Sequence, residues 1–227
     1  YACIGACLGT LLTQDIAGNL LYTVRDEGSQ QVSRGKGRTR GTKSNAQLHF
    51  HTDSAPSHRG NTPDIVGLFC LQTSKLGGLS LHASAHTIHN ILLQEHPEYL
   101  ERLYAPYHFD RRSEIQAGEA PTLFAPVYTY QDSLSMRFNE LYIIMGHEIS
   151  GQPLSVADRT SLSFINKLTA QEELTVKFAM ERGDIHLINN HFILHARTAF
   201  EDDSESGRRR LLVRLWVNAS TRDIEPC

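Results

Sequence analysis

The chain lacks any stretch of eighteen consecutive apolar residues, so a membrane-spanning helix is not expected. Cysteine is sparse: Cys3, Cys7, Cys70 and Cys227 are scattered, with no C-x-x-C pair among them. That excludes a disulfide framework, and we read the four as free thiols. Charge of one sign is also missing, since 22 Lys and Arg against 25 Asp and Glu leave a net charge of −3. An extended phosphate-binding footprint is therefore unsupported, and we expect neither nucleic acid nor membrane as a partner. No repeat or low-complexity tract interrupts the chain, and its start carries no charged segment leading into an apolar run with a cleavage site. These features lead us to expect a cytoplasmic protein, with a homo-oligomer left open. The chain opens at Tyr1 and not at methionine, from which we expect that an N-terminal portion precedes it. Residues 1–227 read as a single domain.

Histidine is what the chain has in excess: twelve in 227 residues. Most hydrophobic periodicity is of the strand type. Residues 18–29, 64–72, 174–180, 183–190 and 210–218 read as strands, and 174–180 alternates so that Leu174, Val176, Phe178 and Met180 share one side. Two regions carry helical spacing. Residues 84–103 offer Ser84 as a cap and Pro97 at the start of a second short helix, and 154–170 offers Ser155 as a cap. Residues 2–12, small and apolar, read as a short helix on the core. Many short strands with a few inserted helices predict a mainly β double-sheet fold, a jelly roll, over a βαβ fold. Between 30 and 47 the basic residues Arg34, Lys36, Arg38, Arg40 and Lys43 alternate with glycine and threonine. We expect a mobile loop there, a lid whose charge suits an anionic or zwitterionic substrate.

The histidines become specific at Leu48-His49-Phe50-His51-Thr52-Asp53. Residues two apart on a strand project to the same face about 7 Å apart along the backbone, so His51 and Asp53 converge. If they bind metal, a third ligand should come from a later strand. His195, anchored behind Phe192-Ile193-Leu194, is preferred over His191, which follows the turn-forming Asn189 and Asn190. Two imidazoles and one carboxylate suit non-haem Fe(II) with open positions, and zinc would accept the same set. In Arg209-Arg210-Leu211-Leu212-Val213-Arg214-Leu215-Trp216, alternation places Arg214 on a strand that is apolar on both sides. A guanidinium there needs a partner, either the far carboxylate of a dicarboxylate co-substrate or an internal acid.

At this point the sequence resembles the taurine dioxygenase and clavaminate synthase-like family of Fe(II)/2-oxoglutarate-dependent oxygenases. Four motifs carry the resemblance in order, from about residue 8 to the end: His51-Thr52-Asp53, Gly77-Gly78-Leu79-Ser80, Asn189 through Phe200, and Arg209 through Arg214. The resemblance implies a double-stranded β-helix of the clavaminate synthase type. It implies Fe(II) on His51, Asp53 and His195, and 2-oxoglutarate held by Ser80, Arg210 and Arg214, with Arg214 on the far carboxylate and Arg210 assisting. Serine stands at 80 where the family commonly has threonine. The implied reaction consumes O2 and 2-oxoglutarate, releases succinate and CO2, and hydroxylates, desaturates or cyclises at an unactivated C–H bond of a small, anionic or amino-acid-derived molecule, as in secondary metabolism. The carboxylate of Asp53, replaced by a small residue in related halogenases, favours those outcomes. Asn190 and His191, close to His195, are candidate substrate contacts, and Arg197 is expected to make a structural ion pair. A zinc-type hydrolase on the same triad, or a non-catalytic metal-binding jelly roll, would give Ser80 and Arg214 no role.

Overall fold

The computed structural model describes residues 1–15, 17–28, 41–57, 62–112, 115, 118–203 and 208–219. Nine strands among them build two antiparallel sheets: β1 (Gly9–Leu11), β2 (Leu21–Val24), β3 (Leu48–His51), β4 (Ile65–Gln72), β5 (Ser80–Ser84), β6 (Thr175–Phe178), β7 (Ile185–Asn189), β8 (Ile193–Arg197) and β9 (Leu211–Ala219). In the larger sheet β9 lies between β4 and the pair β1 and β2, and β7 pairs with the far side of β4. The smaller sheet runs β6-β5-β8-β3. Neighbours in each sheet are distant in the chain, the signature of a jelly roll. The expected fold class is therefore the observed one.

Five helices accompany the strands among the described residues: α1 (Ala2–Leu8), α2 (Ala85–Glu95), α3 (Pro97–Tyr104), α4 (Glu140–Ser150) and α5 (Val156–Thr169). Ser84 caps α2 by accepting from the Thr87 N–H at 3.2 Å, and Pro97 starts α3, where a missing N–H costs nothing. Ser155 and Asp158 form a capping box at α5, and Arg102 of α3 donates through Nε to Asp158 at 2.9 Å, tying the two helices together. The largest apolar cluster is built here. Ile88, Leu92, Leu103, Phe109, Leu162 and Ile165 are all at most 1 % exposed, and Ala83 and Leu194 of the smaller sheet pack into the same cluster. By contrast, the clusters around β9 are small, with Val24, Cys70, Met180 and Leu212 in one and Val66, Ile188 and Trp216 in another. The polar side chains between the sheets interrupt a continuous core.

Two expectations need amendment. The alternation read at 174–180 does not produce one buried face: β6 is the edge of its sheet, paired only to β5, and Val176 is 65 % exposed. An edge strand meets neighbours on one side only, so a two-residue period there need not report burial. Of the expected lid at 30–47, residues 30–40 lie outside the described residues; Lys43 pairs with Glu27 at 3.1 Å. Among the described residues no helix is long and apolar enough to cross a membrane, and Cys3, Cys7 and Cys70 are free thiols.

Candidate metal and co-substrate site

The register of the smaller sheet gathers the histidines. On β8, His195 stands opposite His51 of β3 on one side and His82 of β5 on the other, so three imidazoles form a row across adjacent strands. Two residues further along β8, Arg197 stands opposite Ser80 of β5. Strand rise separates the two rows by about 7 Å on the same face. Asp53, just beyond the end of β3, completes the first row. Its Oδ1 lies 3.5 Å from His51 Nε2 and 3.6 Å from His195 Nε2, too long for a good hydrogen bond but close enough for all three to ligate one ion. The ligand atoms of His51, Asp53 and His195 all fall within 4.8 Å of one another, the only such set among the described residues.

The spacing of the donor set fits a metal, and at His51 the tautomer does too. His51 Nδ1 lies 2.8 Å from the His49 carbonyl, to which it can only donate, leaving Nε2 with its lone pair toward the site. Burial acts to raise the pKa of Asp53, but the Arg214 charge and the neighbouring His195 and His51 imidazoles outweigh it, and the carboxyl is held well below its ordinary value. Burial, then the neighbouring His51, lowers the pKa of His195 and so favours the neutral, ligating form. Farther back, His82 stacks on His186 of β7 with ring centres 4.5 Å apart, and burial first, then neighbouring imidazoles, brings both pKa values down to about 4.

Asp53 is held at every other polar atom. Its Oδ2 accepts from Trp216 Nε1 at 2.8 Å and from Arg214 Nη1 at 3.0 Å. Its backbone N–H donates to Asn190 Oδ1 at 2.8 Å, and its carbonyl accepts from Asn190 Nδ2 at 3.0 Å. The remaining Asn190 N–H goes to the Pro63 carbonyl at 3.0 Å, and the residue is 1 % exposed. Arg214 in turn donates through Nε to Gln14 Oε1 at 2.7 Å, while Gln14 Nε2 returns a bond to the Arg214 carbonyl at 2.9 Å. The guanidinium lies between the Tyr22 and Trp216 rings, 5.3 and 4.5 Å from their centres.

The second row is unfinished. Arg197 Nη2 donates to the Ser44 carbonyl at 2.7 Å and also to that of Ala46, but its Nε and Nη1 are buried without a partner among the described residues, as is Nη1 of Arg210. Both guanidinium groups sit against the Phe200 ring, at 4.7 and 5.2 Å, and both line, with Ser80, the cavity that the metal row closes at its other end. Burial lowers the pKa of each, that of Arg197 to about 10. The glycine pair of Gly77-Gly78-Leu79-Ser80 makes room for this arrangement. Both have positive φ; a Cβ on Gly77 would stand 2.2 Å from the Ala199 carbonyl oxygen, and one on Gly78 would press on Arg210 Nε at 3.1 Å.

His51, Asp53 and His195 are thus brought together as expected, and Ser80 and Arg210 line the cavity. Three expectations change. Arg214, read as the grip on a far carboxylate, sits on the ligand Asp53, and the guanidinium groups with open N–H among the described residues are those of Arg197 and Arg210. Asn190 and His191, read as substrate contacts, are both engaged elsewhere. Asn190 braces Asp53, and His191 bonds Ser135 Oγ through Nδ1 at 2.9 Å and Asp64 Oδ1 through Nε2 at 2.8 Å. Arg197, expected in an ion pair, bonds two carbonyls and faces the cavity. Trp216 and Gln14 were missed as groups acting on the site; the shared face of Arg214 and Trp216, two apart on one strand, is the signal that pointed to the first.

A jelly roll closing on two histidines and one carboxylate, with positive charge deeper in the same cavity, can hold a metal ion beside an anionic ligand. The chain belongs to the family described as taurine catabolism dioxygenase TauD, TfdA, whose model matches residues 12–216. Among its relatives is FR-33289 synthase of Streptomyces rubellomurinus (strain ATCC 31215), 32 % identical over 219 residues, covering 95 % of this chain and 62 % of that protein. Another is the taurine hydroxylase-like protein SAT17 of Stachybotrys chartarum (strain CBS 109288 / IBT 7711), 32 % identical over 173 residues, 74 % of this chain and 41 % of that one. The chain therefore spans less than two thirds of the length of these relatives. In fold it is similar to asparagine oxygenase solved with Fe(II), 2S,3S-3-hydroxyasparagine and succinate, at TM-score 0.71, 17 % identity, and coverage of 94 % and 62 %. It is also similar to the non-haem iron oxygenase OrfP solved with Fe and alpha-ketoglutaric acid, at TM-score 0.67, 18 % identity, and coverage of 96 % and 62 %.

Proposed function

We propose that the protein is an Fe(II)- and 2-oxoglutarate-dependent oxygenase that hydroxylates, desaturates or cyclises a small amino-acid-derived or anionic molecule. The observation carrying this reading is a single cavity with metal ligands in one row and buried guanidinium N–H groups without acceptors in the next. A buried cation with unmet donors is costly, and a carboxylate arriving from the ligand side removes the cost. His51, Asp53 and His195 would hold the metal that a five-carbon keto diacid chelates, and Arg197, Arg210 and the Ser80 hydroxyl would meet its far carboxylate. Arg210 and Arg197 then share the grip, and Arg214 serves the metal ligand.

Iron with 2-oxoglutarate supplies, when bound, oxidative decarboxylation to succinate and CO2 and the power to break a C–H bond. The chain's own residues do the rest. His51 and His195 each offer a ring nitrogen, Asp53 one oxygen. Val24, Leu68 and Leu212, which line the cavity between its polar ends, keep water from the co-substrate. A hydrolase on the same triad would leave Arg197 and Arg210 without occupation. The 2S,3S-3-hydroxyasparagine held by the asparagine oxygenase neighbour supports an amino-acid-derived substrate. The test is succinate release from 2-oxoglutarate, dependent on Fe(II) and stimulated by members of a panel of amino acids, sulfonates and phosphonates. Turnover lost in Asp53→Ala supports the reading; ester or amide hydrolysis with Zn(II), and no succinate with any panel member, overturns it.

A further inference from the structure

The chain has one tryptophan, and its indole N–H points at a metal ligand. A carboxylate oxygen has two lone pairs for in-plane acceptance. Trp216 Nε1 at 2.8 Å and Arg214 Nη1 at 3.0 Å both go to Asp53 Oδ2, so that oxygen is fully engaged before any metal arrives. Oδ1, by contrast, has only the imidazole nitrogens of His51 and His195 near it, at 3.5 and 3.6 Å. Trp216 has no freedom to turn away: it is 6 % exposed, packs on Val66 and Ile188, and stacks its ring on the Arg214 guanidinium. We propose that Trp216 is a positioning residue that, together with Arg214, keeps Asp53 a one-oxygen metal ligand.

The proposal rests on the metal-site reading above and adds something to it. A carboxylate free to rotate can close on a metal with both oxygens and occupy a coordination position that a co-substrate needs. The indole holds one oxygen back and fixes the plane in which the other points. Removing such an outer partner typically lowers metal affinity about 10- to 100-fold.

The single indole also provides the test. In uniformly 15N-labelled protein it gives one side-chain N–H resonance. With Zn(II) as a diamagnetic probe, a bond kept to Oδ2 leaves that resonance downfield and slow to exchange with solvent, as in the metal-free protein. A move upfield with fast exchange on adding Zn(II) means that the metal has taken Oδ2, and overturns the proposal. Trp216→Phe keeps the ring and removes the donor, so Co(II) affinity should fall about tenfold and the Co(II) absorption spectrum should change. Leu12→Ala, which thins the packing against the same cluster but leaves the N–H in place, should bind Co(II) within about twofold of wild type. Equal Co(II) affinity and spectra in wild type and Trp216→Phe would contradict the assignment. Should Trp216→Phe fail to fold, the resonance of the wild-type protein decides. Wild-type protein that binds neither ion would instead sink the metal-site reading itself.

Discussion

The two ends of the cavity between the sheets are built on opposite plans. At the metal end every polar atom of Asp53 except Oδ1 has a partner, drawn from Asn190, Trp216 and Arg214. At the far end, three N–H-bearing atoms of Arg197 and Arg210 are buried with none among the described residues. The first end holds Asp53 in advance, so a metal meets a carboxylate already aimed. The second carries a standing electrostatic debt that only an incoming anion can relieve. Metal affinity should therefore depend on pre-organisation and co-substrate affinity on charge, and perturbations of the two ends should separate.

The largest effect is expected from Asp53→Ala, which removes both a ligand and the counter-charge of Arg214. Co(II) binding by titration calorimetry and succinate release should both vanish. Next comes Arg210→Met at the other end. Co(II) binding should persist, while the Kd for 2-oxoglutarate rises roughly 30- to 900-fold, the equivalent of about 2–4 kcal/mol, because a charge-assisted bond is lost. Metal binding lost in this variant would mean that the ends are not separable.

Asn190→Ala returns to the metal end without touching a ligand. It leaves the N–H and C=O of Asp53 and the C=O of Pro63 unpaired in a buried place, so urea unfolding should report a loss of about 2–4 kcal/mol. The stacked pair His82 and His186 predicts a pH effect. Both have folded pKa values near 4 against an ordinary 6.5, so the unfolded chain takes up protons between those limits that the folded chain refuses. Their contribution to stability is complete above pH 6.5 and is lost as pH falls toward 4. The slope of unfolding free energy against pH in that window should be shallower in His82→Phe/His186→Phe. Smallest is Ser80→Ala, where one hydroxyl-to-carboxylate bond at the far end should cost about 1.5 kcal/mol, roughly tenfold in co-substrate Kd, with Ser80→Thr near wild type.

How much of this could be read from residues alone follows from the distance over which each feature is determined. His51 and Asp53 were legible because strand alternation is local. The caps at Ser84 and Ser155 were legible for the same reason. Gly77 and Gly78 stood out as a pair, but their purpose, clearing Ala199 and Arg210, needs contacts more than a hundred residues away. Arg214 shows where local reading ends. Its burial followed from the alternation of β9, yet whether it meets a ligand or an internal acid depends on where β9 stands relative to Asp53, 161 residues earlier. The internal acid was one of the two readings open from the strand; the resemblance favoured the other. Asn190 carried a correct hint of turn formation and none of its bond to Asp53. Val176 misled because a two-residue period does not say whether a strand is central or at an edge.

The central claim is that one cavity holds a metal at His51, Asp53 and His195 and a keto diacid between that metal and Arg210. Mixing the purified protein with Fe(II) and 2-oxoglutarate under argon tests it most directly, because only a chelate of both produces the weak visible charge-transfer band. The account predicts the band in wild type, its loss in Asp53→Ala, and its recovery in Arg210→Met only at far higher 2-oxoglutarate. No band in wild type, or a band of full intensity that survives both substitutions at the same concentrations, would contradict it.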